Sequence, residues 1–82
     1  MTGFASGSDE GKRERWMTVI QLRTHKDHAE VMFVESARIY RLLRDNPVYE
    51  ETLRKLRAVS GSGRRVSVRF DKPNGEIIER VY

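Results

Sequence analysis

NPVYEETLRKLRAVSGSG (residues 46–63), followed by RRVSVRFDKPNGEIIERVY (residues 64–82), reads as one helix running into one β-hairpin. Asn46 suits the residue that caps a helix, Pro47 suits the first helical position, and Glu50 with Glu51 complement the positive end of the helix dipole. Tyr49, Leu53, Leu56 and Val59 recur at spacings of three and four and form one apolar stripe. Arg54, Lys55 and Arg57 take the other side, and Gly61 and Gly63 end the helix, which the spacing predicts over about residues 47–60. In the hairpin, over about residues 64–82, Pro73 and Asn74 fit the centre of a type I turn and Gly75 a left-handed bulge position. That register sets Phe70 opposite Ile78, Arg69 opposite Glu79 and Val66 opposite Tyr82. Val66, Val68, Phe70, Ile78 and Tyr82 then share the core face, while Arg65, Ser67, Arg69, Ile77, Glu79 and Val81 face away.

Working outward toward the N-terminus, Trp16 to Arg23 reads as a strand. Trp16, Thr18, Ile20 and Leu22 make its more apolar face, and Met17, Val19, Gln21 and Arg23 the other. The polar run Thr24, His25, Lys26, Asp27, His28 is a connection. Residues 29–43 admit two readings. Density of β-branched and aromatic residues favours two strands, residues 30–34 and 38–42, joined at Glu35, Ser36 and Ala37. A single helix capped by Asp27 and Glu30 is the alternative, but it leaves Val31, Val34 and Leu42 on its solvent side. The expected fold is α+β: a small single domain over residues 16–82 with a mostly antiparallel sheet, one principal helix and a C-terminal hairpin. Residues 1–15, rich in Gly, Ser and charge, are expected to be a disordered tail.

Length and composition narrow the function classes. An 82-residue chain has little volume for an enclosed active site. With no cysteine, disulfides, thiolate catalysis and cysteine-based zinc sites are excluded together. No apolar run is long enough to span a bilayer and no signal-peptide pattern opens the chain, so the expectation is a cytoplasmic protein without membrane contact. The net charge of +4 falls wholly outside the balanced first fifteen residues and biases the domain toward acidic partners.

Side chains that carry chemistry are sparse. His25 and His28, flanking Asp27, give two imidazoles in a polar turn, too few ligands for a metal, so no metal or cofactor is expected. Ser36 has no neighbouring base to activate it, and adjacent Glu50 and Glu51 do not face one another. The glycines at 61 and 63 follow a helix rather than precede one, which is the wrong order for a phosphate loop. No catalytic residue is assigned.

Two function classes remain. The first is a non-enzymatic protein-interaction module, pairing with another protein or with itself through the outward apolar residues Ile77 and Val81. The alternative is a nucleic-acid-binding module whose basic surface gathers Arg54, Lys55 and Arg57 at the helix end with Arg64, Arg65 and Arg69 on the hairpin. Nearby Trp or Tyr side chains would then stack on bases.

Overall fold

A computed structural model describes residues 13–82. The chain forms β1 (Glu14–Thr24), β2 (His28–Phe33), β3 (Ile39–Leu43), α1 (Tyr49–Val59), β4 (Arg65–Phe70) and β5 (Ile78–Val81). Residues 1–12 of the expected tail lie outside the described residues, while Glu14 and Arg15 belong to β1. The α+β reading holds, and residues 29–43 resolve into strands, as their β-branched composition favours.

The five strands are antiparallel in the order β3-β2-β1-β4-β5. The two outer strands then meet: Arg41 bridges Ile77 in parallel, and the Arg41 N–H donates to the Glu76 carbonyl at 2.9 Å. Arg38 reinforces the closure, its guanidinium donating to Glu76 Oε2 at 3.1 Å and to the Asn74 side-chain and main-chain oxygens at 3.2 and 3.0 Å. The sheet is thereby rolled into a partly open five-stranded barrel with the connectivity of an OB-type barrel. Met17, Val19, Val31, Phe33, Tyr40, Leu42, Val68, Phe70, Ile78 and Val81 fill its interior. The partial closure also covers part of the outer strand edges through which small β domains aggregate.

Strand β1 is shared by both halves of the barrel. Residues 14–18 pair with β4 and residues 19–24 with β2. At the changeover Val19 faces Phe33 and Gln21 faces Met32, so Ile20 is the extra residue of a β-bulge. The bulge reverses the alternation. Met17, Val19 and then Leu22 point inward, leaving Trp16 and Ile20 64% and 49% exposed. This corrects the expected facing, in which strict period-2 alternation set Trp16, Thr18, Ile20 and Leu22 together. Two contacts hold the bulge: the Val19 carbonyl accepts from Gly61 N at 3.1 Å, and Glu35 Oε1 and Oε2 accept from Thr18 N and Oγ, each at 2.7 Å.

Helix α1 closes the barrel with the stripe read from the sequence, Tyr49, Leu53, Leu56 and Val59, joined by Thr52. It begins two residues later than the spacing predicts, because Asn46 and Pro47 build a turn ahead of it. Asn46 Oδ1 accepts from Val48 N at 2.8 Å, and its Nδ2 donates to the Glu79 carbonyl at 2.9 Å, tying the helix entrance to β5. Gly61 and Gly63 at φ 74° and 79° turn the chain out of the helix.

The hairpin departs from its expected register at one residue. Phe70 does face Ile78, but Arg69 faces Arg80 and Val68 faces Val81, so Glu79 is bulged out. Downstream of it, inside and outside exchange. Val81 is 1% exposed in the core, Tyr82 is 53% exposed, and Ile77 is half-buried at the barrel seam. The turn itself carries φ 64° at Asn74 with Gly75 N donating to the Lys72 carbonyl at 3.0 Å, the signature of a type II turn instead of type I. Gly75 does not take a left-handed backbone; a Cβ there would meet the Asp71 carboxylate, which would have to swing aside, and would sit 3.0 Å from the Lys72 carbonyl.

Candidate nucleic-acid interface

The outer surface of β1, β4 and β5 is an ordered ladder of side chains, because cross-strand partners on one face stand side by side. One rung is Glu14, Arg69 and Arg80. The next is Trp16, Ser67 and Tyr82, the last fixed by Tyr82 N donating to the Ser67 carbonyl at 2.9 Å. The third pairs Thr18 with Arg65. Two exposed aromatic rings therefore flank a small serine, with arginines on the rungs above and below. Adjacent strands stand about 4.8 Å apart, which sets the backbones of Trp16 and Tyr82 roughly 10 Å apart.

The charges on this face are unequal. Arg69 Nε pairs with Glu79 at 3.1 Å and its Nη1 with Glu14 at 3.4 Å. The adjoining Tyr82, ahead of Glu79, holds the Arg69 guanidinium above its ordinary value. Among the described residues Arg65 and Arg80 make no ion pair, and the Arg80 guanidinium lies 5.9 Å from the Tyr82 ring centroid, within cation–π reach. A groove of about 390 Å³ opens beside Tyr82, Arg69 and Arg80, walled by Asn46, Pro47 and Val48 at the helix entrance.

The six basic residues expected to act together are thus divided. Arg65 and Arg69 stand on the ladder, and Arg64 precedes β4 as an exposed neighbour. Arg54 and Arg57 lie on the solvent side of α1, where Arg54 borders a second groove of about 380 Å³ with Arg44 and Glu50, on the other side of the shared wall of Asn46, Pro47 and Val48. Lys55 is occupied, its Nζ donating to the Val81 carbonyl at 3.1 Å and pairing with Glu51 at 3.4 Å. Of the two candidate interface residues, Val81 is core and Ile77 is seam, so neither forms an outward apolar surface. Arg80 and Tyr82 escaped the sequence reading because their facing depends on the bulge at Glu79, and Trp16 because the bulge at Ile20 breaks the alternation that set it on one face with Leu22.

The outer face of β2 and β3 has a different character. Met32 pairs with Ile39, 36% and 49% exposed, and Ile20 and Val34 are exposed beside them at 49% and 63%. Among the described residues no Phe, Tyr or Trp side chain lies there. Toward its end, at the β1–β2 turn, His25, His28 and Glu30 converge so that a ligand atom of each lies within 4.8 Å of the others. Glu30 contacts both rings, at 3.1 Å to His25 Nε2 and 3.8 Å to His28 Nε2, while Asp27 Oδ1 lies 2.8 Å from His28 Nδ1. The His28 hydrogen bond holds the Asp27 carboxyl below its ordinary value, and the His25 hydrogen bond does the same for Glu30. Ser36 is a turn residue: its Oγ accepts from Tyr40 Oη at 3.0 Å and Arg38 N at 3.2 Å.

Comparison with protein-family models, with curated proteins and with solved structures gave no significant match. Among the described residues no helix is long and apolar enough to cross a membrane.

Proposed function

We propose that this chain is a binding module for single-stranded nucleic acid, not an enzyme, and that the ladder on β1, β4 and β5 is its contact surface. The carrying observation is the rung of Trp16 and Tyr82 set between the rungs of Arg65 and of Arg69 with Arg80. Every base has a π-face, so exposed aromatic rings bind single strands with little sequence preference, and flanking arginines neutralise the phosphates. A duplex hides those faces. OB-type barrels as a class use the surface of strands 2 and 3 for oligonucleotides; here, among the described residues, that surface carries no Phe, Tyr or Trp, so the reading rests on this chain's own side chains and not on fold. The test is a titration of labelled oligothymidylate, oligouridylate and duplex DNA at low and physiological salt. Single strands should bind more tightly than duplex and lose affinity as salt rises. Absence of binding at low salt, or equal binding of duplex, rules the proposal out.

A second reading, a protein-interaction module that pairs with itself, draws on the exposed apolar group Ile20, Met32, Val34 and Ile39. Light scattering decides it: a dimeric mass that Ile39→Lys converts to monomer supports it, and a monomeric wild-type mass removes it.

A further inference from the structure

The geometry points to a divalent transition-metal site, with zinc as its natural occupant, at the β1–β2 turn, formed by His25, His28 and Glu30 and oriented by Asp27. The sequence spacing offers two imidazoles and falls short. The hairpin adds the third ligand, because β2 begins at His28 and, with the register Arg23 to Glu30, brings the Glu30 carboxylate back over the turn. Alternation along β2 then places His28 and Glu30 on the same face.

Tetrahedral zinc with ligands at 2.0–2.2 Å needs donor atoms roughly 3.3 Å apart. The Glu30 carboxylate already lies 3.1 Å from His25 Nε2 and 3.8 Å from His28 Nε2. All three donors fall within 4.8 Å of one another, so the set has to draw in by up to about 1.5 Å to hold a tetrahedral ion. The second feature is Asp27. Its carboxylate lies 2.8 Å from His28 Nδ1, the contact made by the tautomer that carries its proton on Nδ1, and it is that tautomer which presents Nε2 as a metal-binding lone pair. A carboxylate behind an imidazole is the usual support for a metal-binding histidine.

The donor set selects the ion. Two imidazole nitrogens and one carboxylate suit zinc, nickel or copper and disfavour magnesium and calcium, which take oxygen ligands. Three protein ligands leave a fourth position for water or an outside donor, the pattern of open sites and not of closed structural ones. Glu30 and Asp27 together offset the charge of a divalent ion. Against this, Arg23 and Arg41 face Glu30 from the neighbouring strands, and the Arg44 guanidinium donates to the Lys26 carbonyl beside Asp27 at 3.4 Å, so affinity falls below that of a closed site. The ligand side chains are 38%, 23% and 32% exposed for His25, His28 and Glu30, which gives an ion direct entry.

The experiment is calorimetric titration of the tag-free full chain with zinc chloride, repeated with magnesium chloride, alongside cobalt(II) absorption to read coordination. One zinc per chain, visible d–d bands of a four- or five-coordinate cobalt site and no magnesium binding are expected. Asp27→Asn should weaken zinc by about tenfold and His28→Ala by more, as outer-shell and direct-ligand changes do. Glu30→Gln preserves shape, guarding against a His28→Ala chain that fails to fold, and should also weaken zinc by at least about tenfold. No binding, magnesium binding as tight as zinc, or zinc binding unchanged by Glu30→Gln overturns the site.

Discussion

Replacing Trp16 tests the proposed surface most directly, because it is the chain's single tryptophan and 64% of its surface is exposed. Its fluorescence therefore reports one place. A base stacked on the indole should quench and shift that emission as an oligonucleotide is titrated. Stacking on an aromatic side chain contributes about 1–3 kcal/mol per base, and about 1.4 kcal/mol is tenfold in affinity, so Trp16→Ala should weaken binding by about 5- to 140-fold. Tyr82→Ala should act in the same range. With backbones roughly 10 Å apart and Ser67 between them, the two rings serve different bases and their losses should add. Neither ring contributes to the core, so folding stability should change by no more than about 0.5 kcal/mol. The assay is paired: emission of the wild type, and anisotropy of a labelled strand with each variant. Unchanged Trp16 emission at saturation, or Trp16→Ala binding within twofold of wild type, refutes stacking on this rung.

Three further outcomes follow from the same structure. Arg65→Ala should lower the slope of log affinity against log salt by about 0.7, the value for one single-strand phosphate contact, whereas Arg54→Ala on the far side of the helix should leave it unchanged; anisotropy across a salt series separates them. Leu56→Ala removes a fully buried side chain between helix and barrel and should cost about 2–5 kcal/mol in urea unfolding, a large share of the roughly 4–10 kcal/mol such a domain has. Glu35 gives a pH dependence: burial opposes its ionisation, but the hydrogen bonds from Thr18 N and Oγ outweigh it, so its folded pKa lies below the ordinary 4.5. Its stabilisation is complete above the unfolded value and is lost as pH falls through the folded one, so Glu35→Gln should lower Tm at neutral pH and converge with wild type in acid. Parallel Tm curves at all pH values would dismiss that clamp.

What could be read from residues alone was whatever local rules govern. The helix stripe Tyr49, Leu53, Leu56 and Val59 follows from the 3.6-residue period, its end from Gly61 and Gly63, and the strand character of residues 29–43 from β-branched side chains. The facing of side chains beyond a bulge follows no local rule. Period-2 alternation holds only until an extra residue enters a strand, and the bulges at Ile20 and Glu79 are held by hydrogen-bond partners elsewhere in the chain: Gly61 N at the Val19 carbonyl, and the Asn46 side-chain Nδ2 at the Glu79 carbonyl. Each bulge reverses inside and outside for everything downstream. That reversal sent Val81 into the core and Tyr82 out beside Trp16. Sequence thus determined which elements form, because propensity, capping and periodicity act within a few residues. Tertiary structure decided which side chains share a surface, because barrel closure sets strand register through hydrogen bonds between residues far apart in the chain.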